Sequence, residues 1–244
     1  MTRLIARPVT VIWFALRKLR PTTLLAGEHR LTRTGLEPWL RYTATVRGDH
    51  LDVVRARDAR ALWNKAVQPV ARSLGFKPGN VYVPGWVRES AQERSTFWFQ
   101  IDRYGFDKWS GGQFWVEFIY NDLSRQASIR NRMWALLDDL SRRAVMHMNN
   151  DVIASLPGPS HEILMFLPEL LRSTYLNLFK PITDMPPSGH DLGFRYATKA
   201  DATAWGDFIA SRLPSVDARS SGLLKTLDAG TSLMDGRAVK YVSG

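Results

Sequence analysis

At 244 residues, with 45% hydrophobic and 23% charged side chains, the chain is long enough for one well-buried core with appendages and has the composition of an ordinary soluble protein. It has no cysteine, which excludes disulfides, thiolate catalysis and thiolate metal sites and fits a reducing, cytoplasmic setting. The net charge of +10 is concentrated at one end: residues 1–60 hold twelve Lys and Arg against five Asp and Glu, so the rest of the chain is nearly neutral. The usual link between a basic protein and nucleic acid or anionic membrane therefore applies to the N-terminal arm alone.

Residues 1–57 read as a basic, weakly ordered arm. Val9 to Leu16 is apolar but only about half as long as a bilayer span. It runs straight into Arg17, Lys18 and Arg20 rather than a small-residue cleavage site, which argues against a secretory leader and a membrane partner. Those three cations are where nucleic acid would touch.

Organised periodicity begins at Asp58, which reads as an N-cap, and defines a single α+β domain over residues 58–216. Leu62, Ala66, Val67, Val70 and Leu74 share one helical face, Pro69 is a flaw inside it, and Gly75 followed by Phe76 reads as its stop. Asn80 to Glu89 then reads as a strand broken at Pro84-Gly85, which suits an edge. Two runs rich in aromatic and β-branched residues follow, Thr96 to Arg103 and Gln113 to Asn121, joined by the long loop Tyr104 to Gly112. A hairpin centred near Lys108 sets Phe97, Phe99 and Ile101 opposite Tyr120, Phe118 and Val116 as one apolar face. The other face then carries Trp98, Gln100 and Asp102 against Ile119, Glu117 and Trp115.

Ser124 to Ile153 spaces Ile129, Met133, Leu136, Leu137, Leu140, Ala144 and Met148 like a long amphipathic helix, with arginines and Asp138-Asp139 on a solvated face. Ser160 reads as the cap of a further helix containing Pro168, and Tyr175 to Phe179 as extended. Leu192 to Thr198 reads as a strand and Ala200 to Pro214 as a helix with Ala204, Trp205, Phe208, Ile209 and Leu213 inward. Residues 217–244 read as a weakly ordered tail. The fold class expected is α+β: an antiparallel meander of about four strands, covered on one face by amphipathic helices.

The mixed face of the hairpin is the natural place for a site. Gln100, Asp102 and Glu117 lie there, with Arg88 expected within reach on the neighbouring strand. Two adjacent carboxylates suit acid–base work or a divalent metal; equally they suit a solvent-facing sheet with Glu117 bonded to Gln100 or paired with Arg88. A nuclease with Glu-x-Lys on its second strand needs a lysine at position 119, where Ile119 stands. In the loop, Tyr104, Phe106 and Trp109 are anchors suited to a protein partner or to stacking on bases, or else fold back on the sheet edge. His29, His50, His147, His161 and His190 show no metal-ligand spacing, no Gly-x-Ser-x-Gly elbow exists, and Gly111-Gly112 precedes a strand where phosphate loops open helices. No cofactor is implied.

The succession of a helix, Leu74-Gly75-Phe76-Lys77, a strand bearing Arg88, and Phe97-x-Phe99-Gln100 resembles a family of small bacterial α+β proteins known only as a domain of unknown function, over residues 58 to 122. The resemblance implies a cytoplasmic protein with a binding or immunity role near toxin or defence genes, and it carries no catalytic residues. The expected function is thus a non-enzymatic protein-interaction module, immunity- or antiphage-defence-associated. The alternative is a nucleic-acid-binding or processing protein using the basic arm and exposed aromatics.

Overall fold

The computed structural model describes residues 54–80, 83–102, 111–156, 158–159, 161–166, 169–177, 179–186, 192–229, 231–234 and 237–240. The arm carrying Arg17, Lys18 and Arg20, and the loop bearing Tyr104, Phe106 and Trp109, lie outside them. Helix α1 is Ala56–Ser73. It begins one turn before the expected Asp58 cap and buries Ala59, Trp63, Val67 and Ala71, an uninterrupted four-residue ladder, while Leu62, Val70 and Leu74 pack at its margin. Pro69 sits within it on the exposed side. Gly75 ends it at φ +84, and Phe76 N–H donates back to Ala71 C=O at 2.9 Å, so the six-to-one bond of a Schellman stop fixes the exit of the chain.

Strands β1 (Lys77–Asn80), β2 (Pro84–Glu89), β3 (Glu93–Ile101), β4 (Gly112–Asp122) and β5 (Ala127–Arg132) form an antiparallel meander. After β5 come α2 (Met133–Leu136), α3 (Asp139–Ser155), α4 (His161–Phe166) and α5 (Glu169–Asn177), then β6 (Phe194–Tyr196) and α6 (Lys199–Thr226). Finally β7 (Thr231–Met234) joins β5 in parallel and β8 (Arg237–Lys240) folds back on β7. The described strands make one eight-stranded, mostly antiparallel open sheet, with β6 continuing the edge of β4 beyond the end of β5.

Several expectations are corrected. Residues 127–132 are strand, because Ala127, Ile129 and Asn131 are buried in alternation; the long helix starts only where Asp138 accepts from Ser141 N–H at 2.7 Å, and Leu140 is 75% exposed. Tyr175 to Asn177 belongs to α5 rather than to an extended segment. Helix α6 passes through Pro214 to Thr226, so the stretch after Asp217 holds helix and two strands where a tail was expected, and Ala204 is exposed. The sheet therefore has more strands than four.

The core fills the face carrying Phe97, Phe99, Phe114, Val116, Phe118 and Ile129. Trp63 of α1 stacks on Phe114 with ring centroids 3.8 Å apart, and Trp205 of α6 stacks on Phe194 at 4.9 Å. Under the C-terminal half of α6 sits a buried polar knot. Asp217 accepts from Arg88 Nη1 and Nη2 at 2.8 and 3.0 Å and from the Tyr120 hydroxyl at 2.8 Å, while Arg88 also caps the Leu74 carbonyl at 3.0 Å. Burial first, and the Asp217 charge second, push the Tyr120 hydroxyl far above its ordinary range, so it stays a neutral donor.

Replacing Asp217 by Ala leaves the Tyr120 hydroxyl without its acceptor and Arg88 with the Leu74 carbonyl alone; the expected loss is about 3 kcal/mol in a urea melt, the lower end of the scale for breaking a buried pair. Acid should act through Asp122, whose carboxyl is held well below its usual range by the Ser124 hydroxyl first, then by the Arg125 N–H and guanidinium. A depressed folded-state pKa gives stability that is complete above the unfolded carboxylate range and drains away as pH falls through it. Unfolding free energy should thus be flat from neutrality down to roughly pH 5, fall below roughly pH 4, and fall less steeply in Asp122→Asn.

Candidate functional site

The hairpin register decides which side chains meet. Phe97 pairs with Phe118, Phe99 with Val116 and Ile101 with Phe114. The expected faces hold, but the pairing is offset by two residues, Phe97 meeting Phe118 in place of Tyr120. The offset sets Glu117 opposite Trp98 and Trp115 opposite Gln100.

Three of the expected site residues consequently part company. Arg88 pairs with Ser95, placing it on the Phe97 face, where it serves Asp217; its guanidinium carbon lies 4.6 Å from the Phe76 ring centre. It does not reach Glu117. Asp102 donates its backbone N–H to Gln113 C=O at 2.9 Å, four residues along β4 from Glu117, a run of about 13 Å at the strand rise. The two carboxylates share a face without forming an acid–base or metal pair. Gln100 is half-buried beside Trp115.

Glu117 instead turns to β5. Its Oε2 accepts from Arg130 Nη2 at 2.9 Å and Nε at 3.3 Å, and its Oε1 accepts from Arg132 Nε at 3.2 Å. The carboxylate side chain is 6% exposed, while Arg130 and Arg132 are 47% and 31% exposed. One sunken acid thus holds two guanidinium groups at the surface. Arg132 also lies over the Trp115 ring, 4.9 Å from its centre, an orientation that draws on the ring quadrupole. The helical period over 124–153 would put both arginines on a solvated helix side; the signals that place them on a strand are the alternation at 127–131 and the Asp138 cap downstream.

The rest of this face follows from the register. One row across it runs Lys77, Val87, Thr96, Ile119 and Arg130 and continues through the positions of Met234 and Arg237, with Val87 and Ile119 half-buried between Lys77 and Arg130. The next carries Gly79 and Gly85, then Trp98, Glu117 and Arg132. A Cβ at Gly85 would stand 2.6 Å from Phe97 C=O and 2.8 Å from Trp98 Cβ, so only glycine lets β2 lie this close beneath the indole. Thr96 Oγ1 and Trp115 Nε1 are shielded yet have no hydrogen-bond partner among the described residues, a state that protein interiors rarely tolerate.

Among the described residues no group of three or more His, Asp or Glu is placed to hold a metal, and no helix is long and apolar enough to cross a membrane. No protein-family profile, curated protein or solved structure matches the chain. The class is therefore defined by the architecture itself: a mixed α+β protein built on an open, mostly antiparallel sheet.

Gly85→Ala should force β2 away from β3, at about 1 to 3 kcal/mol for an overpacked site. The expected readout is a lower urea midpoint together with a red shift in tryptophan emission as Trp98 meets water.

Proposed function

We propose that the chain is a non-enzymatic protein-interaction module whose contact surface is the face of the sheet centred on Trp115, Arg130 and Arg132. The observation that carries this reading is the use made of Glu117: the carboxylate best placed for chemistry on that face is consumed in fixing two arginines. Asp217 and Asp122 are likewise committed, to Arg88 with Tyr120 and to Ser124 with Arg125. A face of fixed guanidinium groups and a half-buried tryptophan has the make-up of a protein contact, where arginine and aromatic side chains dominate. The near-neutral balance of residues 61–244 supports a protein over a nucleic acid as partner. An immunity or antiphage-defence role is the form of this reading suggested by the resemblance of residues 58 to 122. The Tyr104, Phe106 and Trp109 loop joins β3 to β4 in the sequence and lies outside the described residues.

Affinity capture with the full chain, beside a Trp115→Ala, Ile119→Asp double variant of unchanged circular dichroism, tests this. The expected result is a protein retained by the parent and lost from the variant. Recovery of a nuclease-sensitive ligand with a steep loss between low and physiological salt would instead establish nucleic-acid binding.

A further inference from the structure

We infer that the apolar stretch Val9 to Leu16 of the N-terminal arm seats on the second face of the sheet, across Thr96, Trp98 and Trp115. This docking is internal to the chain and does not require the partner proposed above. The described helices do not account for the burial on that face. Trp63 of α1 and Trp205 of α6 fill the Phe97 face, α2 adds Met133 and Trp134 to the same core, and α3 sits beside β6, where Asn149 bonds Gly193 C=O at 3.1 Å and Arg195 N–H at 2.8 Å. On the opposite face Trp98 is nonetheless 3% exposed and Thr96 2%. An indole laid on a sheet keeps one ring face toward solvent unless something lies on it, and Gly85, beneath Trp98 on β2, has no side chain to offer. The burial is complete within one chain, so the cover belongs to this chain and not to a second copy. Thr96 Oγ1 and Trp115 Nε1, shielded and without a hydrogen-bond partner among the described residues, call for a cover that also brings polar atoms, and the carbonyls of a backbone laid along the strip suit the indole N–H.

The extent of the strip selects the segment. Thr96 stands opposite Ile119, and Trp115 lies four residues from Ile119 on β4, so the strip runs about 13 Å along the strands. The loop between β3 and β4 leaves beyond Asp102, roughly 20 Å past Thr96 at the strand rise. Residues 103–110, folded out and back, reach only about 13 Å. Helices α4 and α5 are tied to α3 at both ends, since Ile182, just past them, bonds Asn150 of α3 through its N–H at 2.8 Å and its C=O at 3.1 Å. The residues after Lys240 start four strands across the sheet from β3. Residues 1–53 have both the length and the chemistry. Val9 to Leu16 is apolar at every position but Thr10, and it spans about 12 Å as a helix or about 27 Å as a strand. The described chain begins at Val54, whose N–H donates to Ala197 C=O at 3.2 Å, next to Tyr196, the partner of Gly112 on β4. Trp115 is three residues along β4 from there, well within the span of residues 17–53. Arg130 and Arg132, 47% and 31% exposed, flank the strip, so the seated segment borders the partner surface.

The chain has no cysteine, so single introduced thiols report on one place each. In the full chain carrying Thr96→Cys, reaction with a maleimide should be slow, because it waits on local opening. Adding Ile12→Asp and Trp13→Asp, with circular dichroism unchanged, should speed it about tenfold or more, the factor for losing the burial of one apolar side chain. Should Thr96→Cys not fold, Ile119→Cys takes its place. A second measurement places the segment: cysteine substitutions through Val9 to Leu16, each combined with Ile119→Cys and oxidised at low protein concentration. An intrachain disulfide should close at positions recurring every second or every third to fourth residue, and not for substitutions through Glu28 to Thr34, since the bond needs Cα atoms roughly 4.4 to 6.8 Å apart. Fast labelling in the parent, slow labelling that survives the double change, or disulfides formed equally along both stretches overturns the proposal. Both readouts are internal to the chain, so failure to capture a partner would sink the protein-binding reading and leave the docking standing.

Discussion

The stack of Trp63 on Phe114 is the contact on which the architecture turns. Trp63 is fully buried and touches Phe99 at 5.4 Å and Tyr196 at 5.2 Å as well as Phe114 at 3.8 Å. Phe114 in turn meets Phe194 and Trp205 edge-on at 5.3 and 6.3 Å. One indole thus ties α1 to β3, β4 and β6, and through Phe114 to α6. Aromatic pairs of this kind add roughly 0.5 to 1.5 kcal/mol each beyond the area they bury. The cluster fills the centre of one face of the sheet, and Glu117, Arg130 and Arg132 lie on the other.

Those polar groups recur in one arrangement: an acid surrounded by donors. Asp217 joins α6 to β2 and β4 through Arg88 and Tyr120. Asp122 orients Arg125, whose Nη atoms cap the Leu224, Lys225 and Leu227 carbonyls at the end of α6. Glu117 orients Arg130 and Arg132. In the first two cases the guanidinium reaches other protein carbonyls; at Glu117 the described bonds of Arg130 stop at the carboxylate. The same structural device thus works inward at two places and faces outward at the third.

Much of the fold was legible because local signals agreed. The Leu74-Gly75-Phe76 stop and the two faces of the paired strands β3 and β4 stand in the structure, whereas the single helix expected from Ser160 is described as two, His161–Phe166 and Glu169–Asn177. What failed has a common physical origin. Ile129, Met133, Leu136 and Leu137 fit a helical period, yet residues 127–132 take the open edge of β4, where backbone hydrogen bonds to a neighbouring strand outweigh a weak intrinsic preference. That misreading hid Arg130 and Arg132; the face of Arg88 follows separately from the pairing of β2 with β3, which sets it opposite Ser95. The short strands β7 and β8 gave no signal of their own, because they are specified by β5 rather than by their own sequence.

The parallel join of β5 and β7 has a consequence for how the molecule assembles. Ser128 and Ser232, whose hydroxyls meet at 2.6 Å, are separated by 104 positions, whereas the pairings from β1 to β5 are made between consecutive strands. The meander can form as soon as it leaves the ribosome, but the outer edge of β5 stays unfilled until α6 and the chain beyond it have been synthesised. During that interval an unpaired strand is open to intermolecular addition, so the order of synthesis, and not the finished structure, sets when this protein is most exposed to aggregation.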